Sequence, residues 1–250
     1  MEISMKLKCI KAAVVGLIFS ASCLLNVANA GLIHSYEFSG NASDGTGSAN
    51  GTVYGATLTT DRHGNLNSAY NFDGNDAIVA NFVSPSTTTF AMWATWNGNE
   101  VDMLFNSGPN GQGPDLFFYS NKISWNTWDS ASNPFGLISN TNINDGEFHH
   151  YAVVNDAGKA VTTLYIDGSI FGTAAYKYRS NNEFTIGAAS SGGGYGWHGK
   201  IDDVQIFDTS LDLVGVQSLM ASNEVPEPST LAIFALGMIG LASRRLKKKP

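Results

Sequence analysis

The sequence predicts an all-β fold, an antiparallel two-sheet β-sandwich, over residues 31–221. Three observations carry the prediction. Short runs rich in aromatic and β-branched residues recur along this stretch, with Gly, Asn, Asp and Ser clusters between them at about 8–12 residue spacing, the pattern of sandwiches and barrels. Asp167-Gly168 reads as a two-residue hairpin turn between such runs, for which Asp-Gly is a preferred dipeptide, and Asp73-Gly74 with Asn75-Asp76 marks another tight turn. Helical patterning is confined to one short stretch, residues 213–221.

Taken in order, the chain opens with a signal peptide over residues 1–30. Lys6, Lys8 and Lys11 precede an apolar region, and Ala28-Asn29-Ala30 has the small-x-small form of a cleavage site, so the mature chain starts at Gly31. The clearest strand-like runs cover residues 90–96, 115–119, 151–154, 162–166, 169–174 and 184–186. The domain closes with the helical piece. Residues 222–229 form a linker that contains Pro226-Glu227-Pro228. Residues 230–243 are expected to form a transmembrane sorting helix, although the uninterrupted apolar run is only 231–242, shorter than the ~20 residues of a comfortable span. Residues 244–250, beginning Arg244-Arg245, carry five basic side chains that stay cytoplasmic by the positive-inside rule.

The order triplet, apolar helix, basic end resembles the PEP-CTERM sorting signal of Gram-negative bacteria. The resemblance implies export through signal peptidase, transient inner-membrane anchoring, and processing by an exosortase-type enzyme. A second resemblance covers the folded region. Asp145-Gly146-Glu147-Phe148-His149-His150-Tyr151-Ala152-Val153, then Leu164-Tyr165-Ile166-Asp167-Gly168, Phe184-Thr185-Ile186-Gly187 and Gly199-Lys200-Ile201-Asp202-Asp203-Val204 are similar, in order, to segments of LamG-like (concanavalin A-like) jelly rolls. Tyr36-Glu37-Phe38 and Tyr70-Asn71-Phe72-Asp73-Gly74 fit the opening strands of that family. Phe148 stands where the family has Trp. The resemblance implies the jelly-roll fold; it leaves function open, because the fold hosts lectins, enzymes and structural modules.

Both cysteines, Cys9 and Cys23, lie in the leader, so the mature domain has no disulfide although it enters an oxidising compartment. Residues 31–224 contain six Lys and Arg against nineteen Asp and Glu, a net charge near −13. Nucleic acid and anionic lipid are excluded as partners on that ground, whereas cations and neutral glycans remain.

Four chemistries were weighed against the residues. A retaining glycosidase needs two carboxylates placed about 5–5.5 Å apart. Glu100-Val101-Asp102 supplies the first half of the E-x-D-x-(x)-E strand of laminarinase-like enzymes, but Leu104 and Phe105 stand where the third acid belongs. Gly194-Tyr195-Gly196-Trp197-His198-Gly199 satisfies a dinucleotide fingerprint literally, but a strand follows it where a helix is needed, so its glycines serve a tight loop. His149 and His150 are neighbours on a strand and face opposite sides, which prevents them from jointly gripping a zinc ion. Calcium is the favoured metal: in LamG-like and related sandwiches the first and last strands lie close together, so the resemblance implies that Asp44, in the loop after the first strand, and Asp202, opening the last, share a cation with backbone carbonyls. Alternatively, Asp44 makes an Asx turn and Asp202 or Asp203 caps the strand.

Carbohydrate binding is the leading function. Trp125, Trp128, Tyr195 and Trp197, with Tyr119, lie in polar, loop-like contexts and are expected to stack on sugar rings, while Trp93 is expected to be structural. The reading is an exported, non-catalytic surface or biofilm-matrix protein whose domain binds a polysaccharide or glycoconjugate. The alternatives are a structural matrix protein without a ligand and a divergent glycan hydrolase or lyase.

Overall fold

A computed structural model describes residues 31–98, 101–108, 114–120, 122–125, 135–137, 141, 143–176, 182–190 and 194–222. Signal-peptide residues Ala28 and Ala30 lie outside the described residues, as do Trp128, the Pro226-Glu227-Pro228 triplet, Arg244, Arg245 and the sorting helix. The elements are β1 (Leu32–Tyr36), β2 (Thr52–Tyr54), β3 (Thr57–Thr59), β4 (Ala69–Asp73), β5 (Ala77–Ala80), β6 (Thr88–Ala94), β7 (Val101–Asn106), β8 (Asp115–Tyr119), β9 (Lys122–Ser124), β10 (Phe135–Leu137), β11 (His149–Asp156), β12 (Val161–Ile166), β13 (Ser169–Ala175), β14 (Phe184–Ile186), β15 (His198–Phe207) and α1 (Leu213–Ser222).

They form two antiparallel sheets. One runs β13-β12-β11-β6-β15-β4-β3, with β1 also paired to β15; the other runs β10-β9-β8-β7-β14-β5-β2. Alternation along each strand builds the core between them. Phe90, Met92 and Ala94 of β6, Tyr151 and Val153 of β11, and Leu164 and Ile166 of β12 point inward, where they meet Leu104, Phe105, Leu116, Phe118, Phe184 and Ile186 from the second sheet. Phe90 stacks on Phe184 at 5.5 Å, and Phe105 tilts against both. The side chains between these residues point the other way. Ala91, Ala152, Val154, Tyr165 and Phe207 make a second apolar patch on the far face of the first sheet, and Val216 and Leu219 of α1 cover it. Asp212 caps this helix, its carboxylate accepting from the Gly215 amide at 2.8 Å.

Local turn chemistry follows the sequence. Asp167 (φ 48°) and Gly168 (φ 67°) both adopt left-handed conformations, as the two-residue β12–β13 turn demands. At the β4–β5 turn the Asp76 carboxylate takes the Asp73 amide at 2.8 Å. One expectation is corrected. Asp202 does not open the last strand: β15 begins at His198, and Asp202-Asp203 sits mid-strand at a bulge with Asp203 at φ 46°. The bulge resolves a geometric conflict, because one edge of β15 pairs with β4 over residues 198–201 and with β1 over 204–207.

Candidate functional site

The most organised polar constellation joins two stretches that the sequence left separate. Asp102, on β7, is 1% exposed. Its Oδ2 accepts the Trp96 indole N–H at 2.6 Å, and its Oδ1 lies 2.7 Å from His198 Nδ1. A buried carboxylate is tolerated only when hydrogen-bonded, and these two partners satisfy it. His198 remains about half exposed, its ring oriented from behind. The loop that carries it is pinned by four backbone bonds: Met103 N–H to Tyr195 O, Trp197 N–H to Gly187 O, Gly74 N–H to Trp197 O, and Asn97 N–H to His198 O. Such close passage explains the glycines. A Cβ on Gly196 would strike the Gly74 backbone, and one on Gly199 the Thr95 carbonyl.

Tyr195 projects from this pinned loop, 56% exposed, and Tyr119 ends β8 at 51% exposed. Tyr119 is paired with Val101, and Tyr195 bonds the β7 backbone at Met103, so the two phenols flank β7. Neighbouring strands lie about 4.8 Å apart, which separates the flanking chains by roughly 10 Å.

Two of the expected sugar-stacking residues are corrected. Trp197 is fully buried, packed edge-to-face on Phe118 at 5.0 Å with its N–H on the Thr95 carbonyl. Trp125 is 4% exposed and packs edge-on to Phe171. Neither presents a face to a ligand, because the glycines around Trp197 and Gly172 beneath Trp125 let these rings sink into the sandwich. Trp93 is half-buried on the far face of the first sheet, where Arg62 lies 4.8 Å from its ring centroid.

The expected calcium pair is not assembled. Asp44 takes the amides of Ser35, Thr46 and Ala49 and holds His34 at 2.7 Å. Burial opposes its charge, but the hydrogen bonds from His34, Ser35 and Thr46 outweigh it and hold the carboxyl at about 2. Asp202 instead faces Arg62 at 2.8 Å, a cation it shares with Asp203 at 2.5 Å. Burial and the Asp203 charge push Asp202 up to about 7, against the pull of Arg62. Each acid is engaged by a different partner, Asp44 by His34 and Asp202 by Arg62. Among the described residues, no group of three His, Cys, Asp or Glu is placed to hold a metal.

The adjacent histidines do face opposite ways. His150 is buried against Trp93, and burial lowers its pKa to about 4, keeping it neutral. His149 sits between Asp167, at 2.7 Å, and Asp145, at 3.3 Å. For hydrolysis, Leu104 and Phe105 are buried apolar side chains where a third acid would be needed, and Asp102 is held inward. Sequence reasoning missed the Asp102–His198 pair, which joins residues 96 apart. The available signal was an acid directly before the apolar run Met103-Leu104-Phe105, since such a residue requires a buried partner.

With this geometry in place, comparison with known proteins gives the class. The chain belongs to the concanavalin A-like lectin/glucanases superfamily, whose laminin G-type family model matches residues 71–214. The PEP-CTERM protein-sorting motif matches residues 224–248, which marks an exported, membrane-sorted protein of Gram-negative bacteria. No curated protein sequence matches the chain. Among solved structures it is similar to the botulinum neurotoxin serotype D binding domain, with 15% identity and a TM-score of 0.61 over 78% of this chain and 52% of that one. The serotype D ligand-binding domain in complex with N-acetylneuraminic acid is similar too, at 14% identity and a TM-score of 0.62 over 81% of this chain and 53% of that one. A botulinum neurotoxin type C structure, described with cell entry dependent on two ganglioside molecules, gives 15% identity and 0.60 over 79% and 52%. The chain spans about half the length of these structures, and at such identity the likeness is one of fold.

Proposed function

We propose that this is an exported, non-catalytic carbohydrate-binding protein of the cell surface or extracellular matrix, with Tyr195, Tyr119 and His198 as its first contact surface. The observation that carries the reading is the pinned loop, which holds an exposed phenol beside an imidazole that a buried carboxylate orients. Rigid aromatic faces with a few fixed polar groups are what a sugar ring needs, and preorganisation lowers the entropy cost of binding. Membership of a lectin-containing superfamily supports it, as does the charge near −13 over residues 31–224, which suits neutral ligands. Two structural relatives bind gangliosides or N-acetylneuraminic acid by their descriptions, so a glycoconjugate is a reasonable ligand class to test. The route to the surface is signal peptidase, transient inner-membrane retention, then exosortase-type processing at the Pro226-Glu227-Pro228 motif.

The test is a glycan array probed with the mature protein. Saturable binding that weakens at least ~10-fold in Tyr195→Ala, with an unchanged melting temperature, supports the reading. Absence of binding to any glycan by folded protein transfers the weight to a structural matrix role. Appearance of new reducing ends or unsaturated products would overturn the non-catalytic part.

A further inference from the structure

A cavity of about 280 Å³ opens beside the β12–β13 hairpin, close to the lower end of small-molecule sites at ~300 Å³. Its apolar wall is Ile143, Ile166, Ile170 and Phe171, and its polar wall is His149 and Asp167. The apolar wall depends on a bulge. Tyr165 pairs with Ile170 and Leu164 with Gly172, which leaves Phe171 unpaired. Successive residues of a regular strand point to opposite faces, so Ile170 and Phe171 line one cavity only because the bulge re-aims them. Ile170 is 58% exposed at the mouth.

The polar wall is fixed as firmly. His149 has both ring nitrogens engaged, by Asp167 Oδ2 and Asp145 Oδ1, while Asp167 Oδ1 takes the His150 amide at 2.9 Å. The hydrogen bond to Asp167, and the lesser one to Asp145, raise the His149 pKa against the opposing effect of burial. On the cavity wall the Asp167 carboxylate offers its remaining lone pairs as acceptors for hydroxyl donors.

The cavity and the His198 site share one end of the sandwich. His149, first residue of β11, is in register with Ala94, last of β6, and three residues on Asn97 bonds His198. β11 and β15 flank β6, so the two histidines are offset by roughly 10 Å across the sheet and, being three residues apart in register, by roughly 10 Å along it.

Resting on the carbohydrate-binding reading, we infer that this cavity is a second subsite, one that takes a single neutral sugar residue of a glycan lying across this end of the sandwich. The apolar ring face lies on Ile170 and Phe171, and hydroxyls donate to Asp167.

The experiment is saturation-transfer NMR on the mature protein with neutral methyl glycosides: glucoside, galactoside, mannoside and N-acetylglucosaminide. Ile170→Asp places a charge at an exposed position, and Asp167→Asn keeps a residue that suits the hairpin turn, so both variants are expected to fold. Saturable transfer to at least one glycoside, cut by ~10-fold or more in both Ile170→Asp and Asp167→Asn, is the expected result. Absence of saturable transfer to the wild-type protein, or transfer unchanged in Ile170→Asp, overturns the subsite. The array separates the two claims: glycan binding that persists in Ile170→Asp and is lost in Tyr195→Ala leaves the carbohydrate reading standing without this subsite.

Discussion

Replacing Trp197 tests the assignment of that ring to the core. A tryptophan side chain buries about 150–250 Å². At ~25 cal/mol per Å², full burial corresponds to about 4–6 kcal/mol, an upper estimate because unfolded chains already hide part of their apolar surface. Core Trp→Ala changes cost about 3–5 kcal/mol in practice, against a total stability of about 5–15 kcal/mol. Trp197→Ala is therefore expected to leave little folded protein. Trp197→Phe keeps the contact with Phe118 but deprives the Thr95 carbonyl of its donor, at about 1–3 kcal/mol. For a domain of this size that lowers Tm by about 3–10 °C. The assay is urea unfolding followed by far-UV circular dichroism for wild type and both variants. If Trp197→Ala keeps the wild-type midpoint while losing glycan binding, the ring is exposed in solution and the placement of its loop is wrong.

Other outcomes follow from the same geometry. Gly196→Ala is expected to cost more than ~2 kcal/mol, measured by the same unfolding curves, because a Cβ there meets the Gly74 backbone. The Asp44 carboxyl, held at about 2 against 3.8 for an ordinary aspartate, contributes about 2–3 kcal/mol above pH 4, and that contribution is lost as pH falls toward 2; acid titration of Asp44→Asn should show a flatter profile. Asp202 has the opposite sign. Its folded pKa of about 7 means the fold retains a proton the unfolded chain has released, so its effect on stability worsens as pH rises from about 4 to 7, and Asp202→Asn should flatten the pH 5 to 8 difference in urea midpoint. Calcium added to chelated protein is expected to leave Tm unchanged; a calcium-dependent rise would show that the ion displaces His34 from Asp44.

The fold was legible because its signals are local. Asp167-Gly168 announces its own turn, the alternating runs announce two-faced strands, and 213–221 announces a short helix that the structure places at Leu213–Ser222. The site was less legible, for two physical reasons. A polar neighbourhood misrepresents Trp197, because the burial of a ring depends on how closely its backbone approaches other chains, and the flanking glycines permit an approach that composition does not express. Partners distant in sequence are set by topology: Asp102 meets His198, and Asp202 meets Arg62 across 140 positions, only after β15 is placed between β6 and β4.

The central position of β15 also dictates when this domain can fold. It lies between β6 on one side and β4 and β1 on the other, and just past its end the Asp208 amide bonds the carbonyl of Gly31. Until residues 198–207 have arrived, the first sheet is three unconnected pieces, β13-β12-β11-β6, β4-β3 and β1, and residue 31 has nothing to close against. Non-local pairing of this kind makes folding slow. In an exported chain the strand that joins the pieces of the first sheet is thus among the last parts of the domain to be delivered.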